Sequence, residues 1–244
     1  FHRWRRIIDA SDYSPLPRRS DMDEAAERWR AQRRELGAPE RLAEFEEQLR
    51  NEWAIETGQI ERLYVLSRGT TEALIRSGFD AIESFASADR TTSETADILA
   101  DQRDALELVF SFVRDERELS VSYIQELHQL LCRHQGTYDA VDSSGRRFKA
   151  TLEKGAWKKL PNSPRRPDGR VHEYCPPEHV AQEMDRLVAY HRRQRETGIP
   201  VEWQSAWLHL AFAQIHPFQD GNGRVARALA TLVFLKADML PLVI

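Results

Sequence analysis

The chain has 244 residues, of which 41% are hydrophobic and 30% are charged, with a formal net charge of −4. This length suffices for one large domain or for a domain with an extension, and the composition is that of an ordinary globular protein. The small negative charge gives no electrostatic reason to expect a nucleic-acid or acidic-membrane partner. No apolar run approaches the ~20 residues that span a bilayer, and residues 1–20 lack the apolar stretch of a signal peptide.

The two cysteines, Cys132 and Cys175, lie far apart and match no metal-binding or redox spacing. A cytoplasmic, reducing environment suits them best, although a single disulfide stays open at this point. We therefore predict a cytoplasmic protein.

The N-terminal half has a helical pattern after a short irregular start. Residues 1–20 contain two prolines among Ser, Asp and Arg, which is typical of an extended arm. Gly37 is expected to end one helix, and Pro39 to lie in the first turn of the next. This second helix carries apolar residues near a 3.6-residue period: Leu42, Phe45, Leu49, Trp53, Ile60 and Leu63. Residues 91–114 and 120–133 predict two further amphipathic helices.

Residues 136–175 are different, because glycine and proline interrupt short alternating runs at 147–152 and 171–174. This pattern predicts loops and a β-hairpin. Helices resume at 177–195, at 202–215 and from about 223 to 236. We therefore predict an all-α fold class, mainly helical, with a small β-hairpin and a helical N-terminal extension.

The segment between the last two predicted helices contains residues suited to phosphate chemistry. Pro217 cannot continue a helix and disfavours the helical conformation at His216, so the imidazole is expected at a helix–loop junction. There it could accept the proton of a hydroxyl group. Gly221 and Gly223 permit close backbone approach at the start of the next helix, whose unpaired N–H groups attract anions.

Three charged side chains complete this predicted site. Asp220 offers a hard oxygen ligand suited to Mg²⁺. Arg224 and Arg227, three residues apart at the helix start, can present two guanidinium groups to phosphate oxygens. Each feature alone is more often a turn, a cap or a solvated helix face. Together, within twelve residues, they predict a phosphoryl- or nucleotidyl-transfer site.

The two helices on either side of this segment are apolar. We expect the first to bury a stripe of Trp203, Ala206, Trp207, Leu210 and Ala213. We expect the second to bury Val225, Leu229, Leu232 and Leu235.

The run HPFQDGNGR at residues 216–224 matches every specified position of HPFx[D/E]GN[G/K]R, the motif of the Fic family, which this chain resembles. Arg227 is the second arginine of the longer motif. The segment SYIQELHQLL is similar to a family helix with an I-x-x-L/I-H pattern, and residues 147–177 are similar to the family's flap hairpin and its exit. The predicted organisation is an arm at 1–20, a helical region at 21–118 and a catalytic core at 119–244.

Fic proteins usually transfer AMP from ATP to a Ser, Thr or Tyr hydroxyl of a target protein. The resemblance implies that His216 is the base, that Asp220 binds Mg²⁺ and that Phe218 is a buried anchor. It also implies a set of nucleotide-binding residues: Gly221, Asn222 and Gly223 at the α-phosphate, Arg224 at the phosphates and Arg227 at the γ-phosphate.

The resemblance further implies a binding edge for the target protein. An extended target segment would add a strand to the flap, at about Arg147 to Tyr174. The flap is strongly charged, and this charge either selects targets or belongs to an ordinary solvated loop; the charged residues are Lys154, Lys158, Lys159, Arg165 and Arg166.

Many Fic proteins carry an inhibitory [S/T]xxxE[G/N] motif, whose Glu pairs with the second motif arginine and blocks productive ATP binding. Residues Thr57 to Glu61 fit its first part, although Arg62 stands where Gly or Asn is expected. The resemblance therefore implies a regulatory contact from Glu61 to Arg227, with Glu56 as the second candidate.

Other chemistry on the same fold stays open: phosphorylation, phosphocholine or UMP transfer, or removal of AMP. The intact Gly221-Asn222-Gly223 segment favours AMP transfer, and the presence of His216 and Asp220 argues against a non-catalytic interaction module. The sequence does not identify the target protein or the oligomeric state, so the formation of a homo-oligomer stays open.

Overall fold

A computed structural model describes residues 3–13, 16–17, 19–64, 66–79, 93–142, 144–164 and 167–240. Within these residues the chain forms eight α-helices and one antiparallel hairpin, which confirms the mainly helical fold with a small hairpin. The helices are α1 Ser20–Leu36, α2 Pro39–Ile60, α3 Arg68–Ser77, α4 Ser93–Arg114, α5 Val121–Leu131, α6 Val180–Glu196, α7 Val201–Ile215 and α8 Asn222–Lys236, and the strands are β1 Thr137–Val141 and β2 Arg147–Thr151. None of these helices is both long enough and apolar enough to cross a membrane.

The chain divides into two compact units, which are described separately. The motif unit contains residues 1–17 and 118–230, and the helical unit contains residues 18–117 and 231–244.

In the helical unit, α2 packs against α4 and α3. The core around these helices consists of Ala54, Ile55, Tyr64, Leu66, Leu74, Phe79 and Leu99. Ile60, which the helical pattern places on the apolar face, is 45% exposed. It is the last residue of α2, where the chain leaves the helix.

The end of α2 is closed by a tight C-terminal turn. Arg62 has φ 55°, a left-handed conformation, and the next N–H, that of Leu63, donates to the Gly58 carbonyl at 3.0 Å. This is the bond pattern in which a helix satisfies its last carbonyls, usually with Gly or Asn at the left-handed position.

Tyr64 folds back over that last turn. Its hydroxyl donates to the carbonyl of Ala54 at 3.0 Å or Ile55 at 3.2 Å, and burial raises the pKa of the phenol. The ring passes so close to Gly58 that a Cβ there would lie 2.1 Å from the Tyr64 oxygen. Gly58 therefore provides the space that lets the chain cross the helix end.

In the motif unit, α5, α6, α7 and the first half of α8 supply the core. Ser120 caps α5 by accepting from the Tyr123 N–H at 3.1 Å, a favoured N-cap arrangement. The largest fully buried side chains of this unit include Arg224, Tyr123, Phe212, Phe218, Ile124, Leu127 and Leu131. Cys132 and Cys175 are both buried thiols, so no disulfide joins them.

The predicted stripe on α7 is partly wrong. Trp207 is buried, but Ala206 is exposed and Leu210 is 67% exposed. The buried side is instead formed by Gln204, Ser205, Trp207, Leu208, Ala211, Phe212 and Ile215. α7 itself carries apolar residues on most of its sides. The periodicity of its sequence alone therefore could not show which face is buried. The two buried polar side chains are satisfied, since Gln204 donates to the Ile199 carbonyl at 2.6 Å and Ser205 to the Ala230 carbonyl at 3.2 Å.

The stripe on α8 agrees better with the structure. Val225, Leu229 and Leu232 are buried as expected, whereas Leu235 is partly exposed.

The N-terminal arm lies on α6 and α7. The Trp207 indole donates to the Ile8 carbonyl at 2.7 Å, and Gln214 donates to the Arg5 carbonyl at 2.7 Å. Asp9 is fully buried and accepts from Gln194 at 2.8 Å and from Arg193. Burial opposes ionisation of Asp9, but these hydrogen bonds and the Arg193 charge lower its pKa overall.

The β-hairpin lies earlier in the chain than the alternating runs suggest. β1 pairs with β2 in an antiparallel register that places Tyr138 opposite Ala150 and Ala140 opposite Phe148. The expected run at 171–174 forms only a short bridge, with the His172 N–H donating to the Pro164 carbonyl at 3.0 Å. The first strand, which has its own alternating pattern, was missed.

Candidate active site

His216 lies at the junction between α7 and the motif loop, as predicted from Pro217. It has φ 52° and ψ 58°, a left-handed conformation that is rare for a residue with a side chain. Its N–H still donates to the Phe212 carbonyl at 2.8 Å, which closes the helix. Such backbone strain is frequent at functional sites, where the surroundings hold it in place.

The imidazole of His216 is stacked on the ring of Tyr174, with centroids 3.8 Å apart and planes inclined by 2°. Burial lowers the pKa of His216 to about 4, and the Lys158 charge adds to this effect. The Ala213 carbonyl and the Asp220 charge oppose it, and His172 adds a small lowering effect. The ring is therefore neutral at physiological pH, which is the form that can accept a proton.

Lys158 is one of the flap lysines, but it is only 4% exposed, which fits neither a target-selecting surface charge nor a solvated loop. Its ammonium donates to the Asn162 side-chain oxygen at 2.9 Å and to the Ile215 carbonyl at 3.3 Å. Its main-chain N–H donates to the Pro217 carbonyl at 2.8 Å. Burial lowers the pKa of Lys158 to about 8.

The segment from Lys158 to Asn162 thus holds the start of the motif loop through its carbonyl groups. The Asn162 amide donates to the Phe218 carbonyl at 2.7 Å. Of the other charged flap residues, Lys159 pairs with Glu153 at 2.6 Å and Lys154 donates to the Arg133 carbonyl. Arg165 and Arg166 lie outside the described residues.

Phe218 is fully buried, which confirms the prediction of an anchor. Its ring stacks on His128, with centroids 3.8 Å apart, and lies 5.0 Å from the ring of Trp157. His128 accepts from the Gly155 N–H at its Nδ1 at 2.8 Å, so its Nε2 carries the proton and donates to the Asp220 carbonyl at 3.1 Å. Burial lowers the pKa of His128 to about 4, consistent with this neutral ring.

Asn222 binds the motif loop to itself. Its side-chain oxygen accepts from the Phe218 N–H at 2.9 Å, and its amide nitrogen donates to the Phe218 carbonyl at 2.8 Å. Because the side chain is used in this way, the group that Asn222 can offer an anion is its main-chain N–H.

Gly221 has φ 78°, and a Cβ there would lie 2.7 Å from the Cys132 sulfur. A residue with a side chain would have to adopt this left-handed conformation and to displace the side chain of Cys132, which directly follows α5. The Val225 N–H donates to the Gly221 carbonyl at 3.2 Å. The N–H groups of Asn222, Gly223 and Arg224 precede this bond in the first turn of α8, where they have no carbonyl one turn back. Such a helix start binds anions.

Asp220 lies between His216 and this helix start. Its Oδ1 accepts from the Gly221 N–H at 2.7 Å, and its Oδ2 accepts from the side chain of Gln135 at 2.6 Å. Gln135 was missed by the sequence reasoning. It lies in the turn after α5, and nothing in the local sequence distinguishes it from a surface glutamine.

Arg224 is only 2% exposed. Its Nη1 donates to the Leu131 carbonyl at 2.9 Å and its Nη2 donates to the Gln135 side-chain oxygen. Its Nε is buried and has no hydrogen-bond partner among the described residues. Arg224 therefore links α8 to the end of α5, and its Nε remains as a donor for a ligand.

Arg227, which is 9% exposed, lies one turn further along α8. Burial lowers the pKa of the neighbouring His209, and the Arg227 charge lowers it further. Glu61 belongs to the helical unit and directly follows α2, whereas Arg227 belongs to the motif unit. The pairing of these two residues stays a prediction.

The residues around Asp220 fit a Mg²⁺ ion that is bound mainly through a substrate. Among the described residues no group of three or more His, Cys, Asp or Glu side chains could hold a metal by itself. A Mg²⁺ held by one carboxylate, water and substrate phosphates needs no such group. Asp220 would supply that carboxylate beside the start of α8.

Two curated proteins resemble parts of the chain. A Fido domain-containing protein of Dictyostelium discoideum is 43% identical over 61 residues, which is 25% of this chain and 43% of that protein. Protein adenylyltransferase fic-1 of Caenorhabditis elegans is 32% identical over 69 residues, which is 28% of this chain and 13% of that protein. The matches thus span less than half the length of either relative.

Solved structures resemble nearly the whole chain. A Fic domain containing signalling protein from Bacteroides thetaiotaomicron has a TM-score of 0.61 and 24% identity, over 93% of this chain and 70% of that chain. Fic-1 from C. elegans has a TM-score of 0.64 and 20% identity, over 91% of this chain and 58% of that chain. At these identities the likeness concerns the fold.

Fold and site together define a helical protein with a histidine and an anion-binding helix start on one short loop. Residues 118–234 match the Fic/DOC family, so this part of the chain is a Fic/DOC family domain.

Proposed function

We propose that the protein is an adenylyltransferase that moves AMP from ATP to Ser, Thr or Tyr hydroxyls of a target protein. The observation that carries this proposal is the short loop in which neutral His216 and the N–H groups at the start of α8 lie on either side of Asp220. A proton acceptor, a carboxylate and an anion site are the groups that transfer of a nucleotidyl group to a hydroxyl needs.

In this reaction the target hydroxyl gives its proton to His216 while its oxygen bonds to the α-phosphorus of ATP. The bond from that phosphorus to the pyrophosphate oxygen breaks, and pyrophosphate leaves. The charge of a bound triphosphate would raise the low pKa of His216 towards neutrality, which would make the ring a stronger base in the complex.

The phosphate groups would be held by the main chain of Gly221, Asn222 and Gly223, by the Nε of Arg224 and by Arg227. Asp220 would hold Mg²⁺, which when bound supplies positive charge that offsets the charge of the phosphates. Because the helix start and the arginines are fixed by packing, they need little reorganisation when the substrate binds.

A target segment would bind along the flap, within the predicted range of Arg147 to Tyr174, and the hairpin extends that surface to β1. Val141 is 62% exposed and Phe148 is 46% exposed on the hairpin, so both side chains are available to a partner. The reduced thiols Cys132 and Cys175 fit action in a reducing compartment such as the cytoplasm.

Regulation by Glu61 is part of the proposal. Arg62, which departs from the inhibitory motif, adopts the left-handed conformation that Gly and Asn adopt readily. Arg62 thus takes, at the last motif position, a conformation that Gly or Asn would also take. This supports the assignment of residues 57–61 to the inhibitory motif.

The test compares Glu61→Gly, in which the proposed inhibition is relieved, with the same protein carrying in addition His216→Ala or His134→Ala, the latter of which removes an exposed histidine of the same unit. Each protein is incubated with Mg²⁺ and ATP labelled on the α- or on the γ-phosphate, in cell lysate. We expect label from the α position on protein, lost in His216→Ala and kept in His134→Ala. Label from the γ position would indicate a kinase, and no label from either would contradict transferase activity.

A further inference from the structure

Gln135 connects two residues of the motif that the sequence places far from it. Its Nε2 donates to Asp220 Oδ2 at 2.6 Å, and its Oε1 accepts from Arg224 Nη2. A second bond from Nε2, at 3.1 Å, reaches the carbonyl of Thr137, the first residue of β1. We propose that Gln135 is a positioning residue that orients the Asp220 carboxylate towards a divalent cation and holds Arg224 beside it.

The chemistry of the two partners fixes the orientation of the amide. An ionised carboxylate only accepts hydrogen bonds, and a guanidinium only donates them. The amide nitrogen must therefore face Asp220 and the amide oxygen must face Arg224, as the structure has them. A primary amide of this length is the side chain that can donate in one direction and accept in the other.

The surroundings leave Asp220 few other means of orientation. Among the described residues, its other oxygen accepts only from the N–H of the adjacent Gly221, which does not fix the rotation of the carboxylate about its own axis. Gln135 supplies the bond from a different element, and Gln135 is in turn fixed by the main chain of β1 and by buried Arg224. Residues that orient a metal ligand in this way typically change metal affinity or activity about 10- to 100-fold when they are replaced.

Two substitutions separate positioning from general destabilisation. Gln135→Leu removes both bonds. Gln182→Leu makes the same replacement at an exposed position on α6 and is the matched control.

The inference rests on the proposed role of Asp220 as a metal ligand, so its main readout is metal binding. Mn²⁺ binding is measured by electron paramagnetic resonance in the presence of a non-hydrolysable ATP analogue. We expect Gln135→Leu to weaken Mn²⁺ binding about 10- to 100-fold, and Gln182→Leu to bind as wild type does. Where transfer activity is found, the Mg²⁺ concentration for half-maximal rate should rise in Gln135→Leu while the rate at saturating Mg²⁺ recovers.

Unchanged Mn²⁺ affinity in Gln135→Leu, with an unchanged melting temperature, would overturn the inference. An equal loss of Mn²⁺ affinity in Gln182→Leu would also overturn it, because that result shows that the loss does not depend on the two bonds of Gln135. If wild type binds Mn²⁺ and Gln135→Leu binds it more weakly, but no protein transfers AMP to a target, the inference stands and the proposed function fails. If wild type transfers AMP but binds no Mn²⁺ with the analogue, the inference fails and the transferase activity stands.

Discussion

Arg62 closes α2 in a conformation that suits glycine better than arginine. Its φ of 55° lies in the left-handed region, and its side chain is exposed. We predict that Arg62→Gly stabilises the protein, because the substitution removes the steric cost at Cβ while the hydrogen bond from Leu63 to Gly58 stays in place.

The magnitude follows from two opposing effects. A left-handed conformation costs a residue with a Cβ about 1–2 kcal/mol. Glycine loses more backbone entropy on folding, which costs about 0.5–1 kcal/mol relative to alanine. The expected gain in the free energy of unfolding is thus about 0–1.5 kcal/mol, with a midpoint of about 0.8 kcal/mol, which is a rise in melting temperature of about 2–3 °C for a chain of this size.

The assay is thermal and urea denaturation followed by circular dichroism, with Arg62→Ala and Arg62→Asn as matched variants. Alanine keeps the Cβ and should give no gain, whereas asparagine tolerates the left-handed region and should lie between alanine and glycine. If Arg62→Ala stabilises the protein as much as Arg62→Gly, the gain comes from removing the arginine side chain and the argument from backbone strain is refuted.

Three further predictions concern charged groups. Glu61→Gly should raise automodification from radiolabelled ATP, while Glu116→Gly, an exposed glutamate that is also at positive φ, should not; an unchanged rate in Glu61→Gly contradicts the inhibitory role. Burial, and then the Glu52 charge, raise the pKa of Glu56, so its ionised form is disfavoured in the folded state and stability falls as pH rises through that pKa. Glu56→Gln should therefore raise the melting temperature at pH 7. The gain should be smaller below about pH 4.5, where the carboxyl is protonated in both the folded and the unfolded state. Exposed Glu47→Gln should give no gain, and a gain in Glu56→Gln that does not depend on pH would refute the argument. Lys158→Met should raise the pKa of His216 in an NMR titration, because the substitution removes a positive charge that lowers this pKa. Lys159→Met, at an exposed position, should leave it unchanged. An unchanged His216 titration in Lys158→Met would show that burial alone lowers the pKa.

The parts of the site that lie within the motif could be predicted from the sequence because local rules determine them. Pro217 ends α7, the helix start of α8 follows from the glycines, and Phe218 is apolar and buried. His128 also had a signal, because it stands in the helix pattern by which α5 resembles the family, although its bonds to Asp220 and Gly155 were not foreseen.

Gln135 and Lys158 could not be predicted, since their roles depend on tertiary contacts with residues that lie more than fifty positions away in the sequence. A glutamine in a turn and a lysine in a charged loop are ordinary surface residues by every local criterion. The α7 stripe failed for a related reason: a helix that is apolar on most sides has no periodicity from which the packed face can be read.

The motif loop is held from both ends by residues outside the motif. At its start, Lys158 and Asn162 bind the carbonyls of Ile215, Pro217 and Phe218. At its end, Gln135 binds Asp220 and Arg224, and it also bonds the first residue of β1. These anchors lie on either side of the hairpin in the sequence. The geometry of the motif therefore depends on residues outside the motif, which local sequence patterns do not reveal.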